Sequence, residues 1–384
     1  MNDLLRSFRS KALVVTLSAA LLFSVSGCSS KANGSSSTTS TVSSTTASTT
    51  TNLADLKFPS GKGKIGLAMR EMVNDYDRGI VAGVKARVAA AGGTVVVTDA
   101  GSDVTKHNQN IESLINSGVS GLIIGLGDTT QIAPLIAKAK AKGIWVATCA
   151  VGAYTQDSLT DVGGDESLMG EIMSRELLQS INYKGDVYIF WVPGAPLLET
   201  RKHILEAMCK DYPQVKLHEV ATQHDPAKVQ SQMEDLLTAH PEKGSIAAVW
   251  AAYDVLGSGA DQAIIKAGRG NDIKMASIDG DQIGFQMMAQ TNGPYISIVA
   301  QDSNNIGTLA AEAVLKGANG EGAQVPHNTY TACYVVTRNN LVATAELRYG
   351  SSFFADQKID KAALIKAYPQ NQEVDRILPL VPNS

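Results

Sequence analysis

The segment MASIDGDQ, residues 275–282, carries an acid in an awkward place. Apolar residues run from Ile273 to Ile278, as in a buried strand, and end on Asp279 and a glycine. A bare carboxylate buried there is costly unless something pairs with it. Asp279 has company. Asn74, Tyr76 and Asp77 follow the strand-like KIGLAM, and Asp128 follows GLIIG. Trp191 lies near the end of DVYIFWV, with Arg201 at the start of the next helical pattern. His224 follows KLHEVAT, Tyr253 and Asp254 follow AAVW, and Gln301 follows YISIVA. Carboxylates, amides and guanidinium groups present paired acceptors or donors in a plane, which suits vicinal hydroxyls. Tyr76, Trp191 and Tyr253 offer faces on which a ring can stack. The chemistry indicated is reversible binding of a small polyhydroxylated guest, with Asp279 satisfied by that guest and by Arg201. Plainer roles stand beside these. Asp279 and Asp128 could cap helices, Arg201 could be a surface charge, Trp191 and Tyr253 could be core, and Asp254 could hold nearby backbone.

Enzyme signatures are weak. GSG at 257–259 is not a nucleophile elbow. GLGDTT lacks the spacing of a dinucleotide loop, and no phosphate-binding GxxxxGK[ST] occurs. There is no CxxC, and the six histidines are scattered, so no metal or cofactor is expected. Carboxylates are numerous enough to supply a glycosidase pair. Turnover separates the two classes, since a binder returns its ligand intact.

Positioning these residues requires an alternating chain. KIGLAM reads as a strand, and Ile80, Val81, Val84 and Val88 then recur at helical spacing. TVVVTDA, GLIIG and IWVAT continue the alternation with helices between them. Past Asp165 a second set begins: DVYIFWV, KLHEVAT, AAVW, IKMASI and YISIVA, again separated by helical stretches. Continuous β-branched runs suit strands buried on both faces of a parallel sheet. Two doubly wound α/β sheets follow, and ligands of such sheets sit outside the carboxyl ends of the strands.

The chain has 384 residues, 44% of them hydrophobic and 5% aromatic, with a net charge of -4. That suffices for two domains and gives no basic face for nucleic acid. At the N-terminus, Arg6, Arg9 and Lys11 precede an apolar run near 12–25, the layout of a secretory signal and short for a spanning helix. The stretch from Ser29 to about Asn52 is nearly all Ser and Thr and reads as a tether. Beyond Cys28, the cysteines Cys149, Cys209 and Cys333 lie among apolar neighbours, as buried thiols do, with one bridge left open.

Two resemblances add to this reading. VSGC, residues 25–28, resembles a bacterial lipobox, which implies cleavage before Cys28 and its acylation, anchoring the mature chain outside the cytoplasm. From about Lys64 to Leu341 the sequence resembles type I periplasmic sugar-binding proteins of the ribose-binding group, which serve ABC importers. TDAGSDVTKHNQNIESLINSGVSGLII, LLTAHP, IDGD and VAQDSNNIG carry the likeness. It implies two Rossmann-like lobes joined by a three-stranded hinge, at 61–164 plus 302–334 and at 165–301 plus 335–384. A signal peptide (1–27) and an anchored linker (28–60) precede them.

The implied function is that of a non-enzymatic, monomeric lipoprotein that delivers a monosaccharide to a membrane permease. A sensor for a sugar-like signal or nucleoside is the alternative. Asp279 matches the acid that accepts from sugar hydroxyls, Arg201 the donor to ring oxygens, and Gln301 a hinge-side amide. Asn74 and Tyr76 match polar and aromatic positions, while Asp77 and His224 fall where aromatics are common. Tyr253 replaces the asparagine of an Asn-Asp pair, and Asp254 is retained. One departure stands out: Cys149, Ala150 and Val151 occupy the place of an Asp-Arg pair common in ribose-type binders. The tail after about Leu341 has no assignment.

Overall fold

A computed structural model describes residues 56–59, 63–370 and 376–377. The signal, the lipobox with Cys28 and most of the linker lie outside the described residues. The chain begins with β1 (Lys64–Met69), α1 (Asp75–Ala90), β2 (Thr94–Asp99), α2 (Val104–Asn116), β3 (Gly121–Gly125), α3 (Thr129–Ala141), β4 (Trp145–Cys149) and β5 (Asp161–Gly164). It continues through α4 (Glu166–Ser180), β6 (Gly185–Trp191), α5 (Pro196–Cys209), β7 (Val215–Ala221), α6 (Pro226–Ala239), β8 (Ala248–Ala251), α7 (Asp254–Lys266), β9 (Lys274–Asp279) and α8 (Gln282–Met288). It ends with β10 (Tyr295–Gln301), α9 (Ser303–Ala318), β11 (Asn328–Thr331), β12 (Cys333–Val336), α10 (Leu341–Tyr349), α11 (Phe353–Asp356), α12 (Lys361–Ala367) and β13 (Arg376–Ile377).

Two sheets result. One runs β11-β5-β4-β3-β1-β2, all parallel. The other runs β13-β12-β10-β9-β8-β6-β7, with β12 antiparallel to β10 and to β13 and the remaining pairs parallel. The chain passes between sheets after Gly164, after Gln301 and between Thr331 and Cys333.

Helices cover both faces of each sheet, so the strands read as unbroken apolar runs. In the first lobe, Ile111, Leu114 and Ile115 of α2 and Ile132 and Ile136 of α3 cover one face. On the other face α1 packs on α9 through Ile80, Val84, Ile306 and Val314. Close approach of those helices needs glycine. A Cβ on Gly83 would stand 2.0 Å from the Asn304 carbonyl oxygen, and one on Gly307 2.0 Å from that of Ile80. The second lobe buries Phe190, Trp250, Met275, Phe285 and Tyr295 in one core. Cys149, Cys209 and Cys333 are free, buried thiols.

The tail beyond Leu341 packs on this second lobe. Phe285 meets Tyr349 edge-on at 5.4 Å, and Tyr349 stacks on Phe353 at 5.4 Å. The Tyr349 hydroxyl donates to the Gly280 carbonyl at 2.7 Å, and Arg348 donates to the Gln301 carbonyl. The tail therefore braces the turn after β9 and the end of β10. No described helix is long and apolar enough to cross a membrane.

Candidate functional site

The carboxyl ends of the two sheets face one cavity, about 640 Å³ including its open mouth. Asn74, Tyr76 and Asp77 reach it from the first lobe; Arg201, His224, Tyr253 and Asp279 reach it from the second. Each sits where local structure puts it. Asn74 is the N-cap of α1: its Oδ1 accepts the Asp77 N–H at 2.9 Å, and Asp77 Oδ2 accepts the N–H groups of Val73 at 3.0 Å and Asn74 at 3.4 Å. This reciprocal cap leaves the NH2 end of Asn74 for a guest.

Arg201 is 2% exposed and forms the centre of a charged cluster. Its Nε donates to Glu166 Oε2 at 2.5 Å, Nη1 to the Ala252 carbonyl at 2.7 Å and Nη2 to Asp279 Oδ1 at 3.3 Å. Gln301 Nε2 also donates to Asp279 Oδ1, at 3.3 Å. The acid that ends β9 is thus held by two donors from the protein itself. Burial raises the Glu166 carboxyl, an effect that Arg201 opposes. The two flanking carboxylates outweigh burial on Arg201, so its guanidinium holds its proton more firmly than usual.

A second group surrounds Glu71. Its carboxylate is 5% exposed and accepts the Ser102 hydroxyl at 2.5 Å. Asp77 is pushed up to about 7, first by burial and then by nearby Glu71. His224 Nδ1 lies 2.7 Å from the Tyr253 hydroxyl. Burial lowers the histidine and raises the tyrosine, so both favour their neutral forms.

Three non-glycine residues lining the cavity hold left-handed backbone: Leu126 at φ 60, Ala150 at φ 53 and Asp279 at φ 110. All three sit at or just past a strand end. Such strain concentrates at binding sites.

Other expected residues sit elsewhere. Asp128 caps α3, accepting from Thr130 and Gln131. Trp191 Nε1 donates to Glu199 at 3.2 Å, and Lys202 lies over its ring at 4.8 Å. Asp254 is fully buried and accepts from the Ser277 hydroxyl and, at 2.7 Å, from the Asp281 N–H. It ties the ends of β8 and β9 together. None of these three lines the cavity, and Gln301 reaches it only through Asp279. The lining also includes Ala150 and Val151, at the position where the sequence departs from ribose-type binders, and Arg70, Glu71, Leu126, Leu197 and Leu198, which sequence reasoning missed. Arg70 and Glu71 were the findable ones, since they directly follow β1. Among the described residues, no group of His, Cys, Asp and Glu could hold a metal ion.

Two doubly wound lobes around one polar cleft define a class: proteins that bind a small solute between domains. The periplasmic binding protein domain family matches residues 65–322, and the chain belongs to that family. Its members are solute binders rather than enzymes, and they work on the extracytoplasmic side. The chain is 29% identical over 250 residues to the ribose import binding protein of Bacillus subtilis, covering 65% of this chain and 79% of that one. Among solved structures it is similar to an ABC transporter solute-binding protein from Agrobacterium vitis with bound allitol, at 26% identity and TM-score 0.70, covering 75% and 99% of the two chains. It is also similar to a 5-methylthioribose transporter solute-binding protein from Thermotoga lettingae in complex with 5-methylthioribose, at 25% identity and TM-score 0.66, covering 79% and 92%.

Proposed function

We propose that this chain is a lipid-anchored receptor that binds one sugar or sugar-like polyol in the cleft and delivers it to an ABC permease. The observation that carries the reading is the shared cavity: Asn74, Tyr76 and Asp77 approach from one lobe, Arg201, His224, Tyr253 and Asp279 from the other. A guest bridging these groups draws the lobes together, and a permease can read that closure. Asp279 takes the central role, accepting from hydroxyls while Arg201 and Gln301 fix its orientation. The ribose, allitol and 5-methylthioribose of the related proteins support a ligand of this size and polarity. Acylation at Cys28 would hold the receptor at the membrane surface, with the Ser/Thr-rich stretch as tether. The lobes are taken as 61–164 plus 302–334 and 165–301 plus 335–384, working as a monomer.

A thermal-shift screen of pentoses, hexoses, polyols and nucleosides tests the binding role. At least one sugar or polyol should raise the melting temperature, and Asp279→Ala should abolish that rise. A shift that survives the substitution puts the ligand elsewhere. Cys28→Ala should move the protein from the membrane fraction to the soluble fraction.

A further inference from the structure

Taking the sugar-binding reading as its base, we propose that the guest is apolar at one end: a sugar or polyol in which a hydroxyl is missing or replaced by an alkyl or thioalkyl group. That end would rest against Leu126, Ala150, Val151, Pro196, Leu197 and Leu198, all of which line the cavity. The polar lining comes from the turn after β1, from the starts of α1 and α7, and from Arg201, His224 and Asp279. The turns after β3 and β4 and the first turn of α5 contribute only apolar side chains.

The backbone on that side gives little more. The Leu126 N–H donates to the Cys149 carbonyl at 3.0 Å, and the Ala150 N–H to the Val162 carbonyl at 2.8 Å. Asp161 occupies the rest of the β4 turn. Its Oδ2 accepts the Gly152 N–H at 2.9 Å, and it also takes the Val151 N–H and, at 2.7 Å, the Thr148 hydroxyl. Pro196, at the first turn of α5, has no N–H to offer. A hydroxyl placed against these side chains gains no side-chain partner, whereas a methyl or thioether loses nothing. Leu197 also comes close to the other lobe. A Cβ on Gly152 would stand 2.7 Å from Leu197 Cδ2, so the two lobes meet there in apolar contact.

Leu126 adds a separate observation. At φ 60 it holds a backbone that Asn or Gly adopts more easily. A leucine in that position keeps an apolar surface in the cleft despite the strain. Leu126→Asn should therefore fold normally while adding an amide to the wall.

The test is calorimetry on the full chain with ribose, its 2-, 3- and 5-deoxy forms and 5-methylthioribose, and with glucose and its deoxy forms. At least one deoxy or thioalkyl form should bind about tenfold or more tightly than its parent. Leu126→Asn and Leu197→Asn should each narrow that ratio several-fold, with melting temperatures reported alongside. Leu197 is only half-buried at a helix start, so its variant stands if the first does not fold. If every modified form binds more weakly than its parent, the apolar end is wrong while sugar binding stands. A ratio unchanged in both variants removes the wall from the recognition. If none of these compounds binds, the sugar reading itself falls and this inference with it.

Discussion

Two parts of the same cleft handle charge in opposite ways. Around Arg201, each carboxylate meets a guanidinium: Glu166 at 2.5 Å and Asp279 at 3.3 Å. Around Glu71, acids gather with less compensation, and Asp77 is pushed up to about 7, first by burial and then by Glu71. The first group is a fixed template whose dipoles are set before the guest arrives, the arrangement that keeps the cost of binding low. The second changes its charge with pH near neutrality. The cleft thus joins an ion-paired acceptor to Asp77, whose charge changes near neutrality.

The largest way to break this contrast is Arg201→Ala. It leaves Glu166 and Asp279 buried without their cation, and such breakage costs about 3–5 kcal/mol. Urea unfolding at neutral pH measures it. A loss below about 1 kcal/mol would mean that Arg201 is not the element compensating them. Asp279→Asn should do less to folding, because Glu166 keeps its ion pair. It should still weaken ligand binding by about tenfold to a hundredfold, the worth of a charged hydrogen bond. Calorimetry and unfolding on the same sample separate the two effects. Equal damage to folding from both variants would erase the distinction between holding the cluster and holding the guest.

The titratable group gives a smaller effect with a defined sign. Asp77 binds its proton more firmly when folded, at about 7, than at its ordinary 3.8. Unfolding between those values releases protons. The stability contributed is full below about pH 4 and declines as pH rises, being lost through about 7 at no more than about 1.4 kcal/mol per unit. Asp254 and Asp261, also raised to about 7 by burial, add to the same slope. Asp77→Asn removes one share of it. The variant should therefore compare better with the parent at pH 8 than at pH 5 in denaturant melts. An equal difference at both pH values would show that Asp77 does not carry the proton.

The sequence made the alternation legible because each core strand is a run of apolar residues, as in GLIIG, and each helix repeats at its own period. Polar residues after those strands then marked where a cleft had to be. The short β5 escaped because DVGG offers two glycines and one apolar side chain, with little strand character. The tail escaped because its order comes from long-range contacts, such as Phe285 with Tyr349 and Tyr349 with the Gly280 carbonyl. Within the site, Asp279 and Arg201 were legible as strand-end and helix-start residues. Their partner Glu166 was not, since it is 35 residues from Arg201 and carries no local mark. Trp191 and Asp254 sit beside the right strand ends but turn to Glu199 and Ser277 instead. Side-chain direction past a strand end depends on the turn, and residue type alone does not fix it.

The smallest expected effect probes how the two parts come together. Asp75, in the first turn of α1, accepts the Arg78 guanidinium at 2.6 Å and, on its other oxygen, the Gln282 N–H of the opposite lobe at 3.3 Å. The Arg78 pair is solvent-exposed and worth little. The Gln282 contact spans the lobes and exists only when they are close. Asp75→Ala touches neither Arg201 nor Glu71, so it should leave the Asp77 share of the pH slope and the Arg201 cluster unchanged. It should weaken ligand binding about twofold to fivefold, chiefly through faster release. Stopped-flow release rates measure this directly. A change confined to the association rate would place the bond outside the closed state, and the joining of the two halves would then rest on the guest alone.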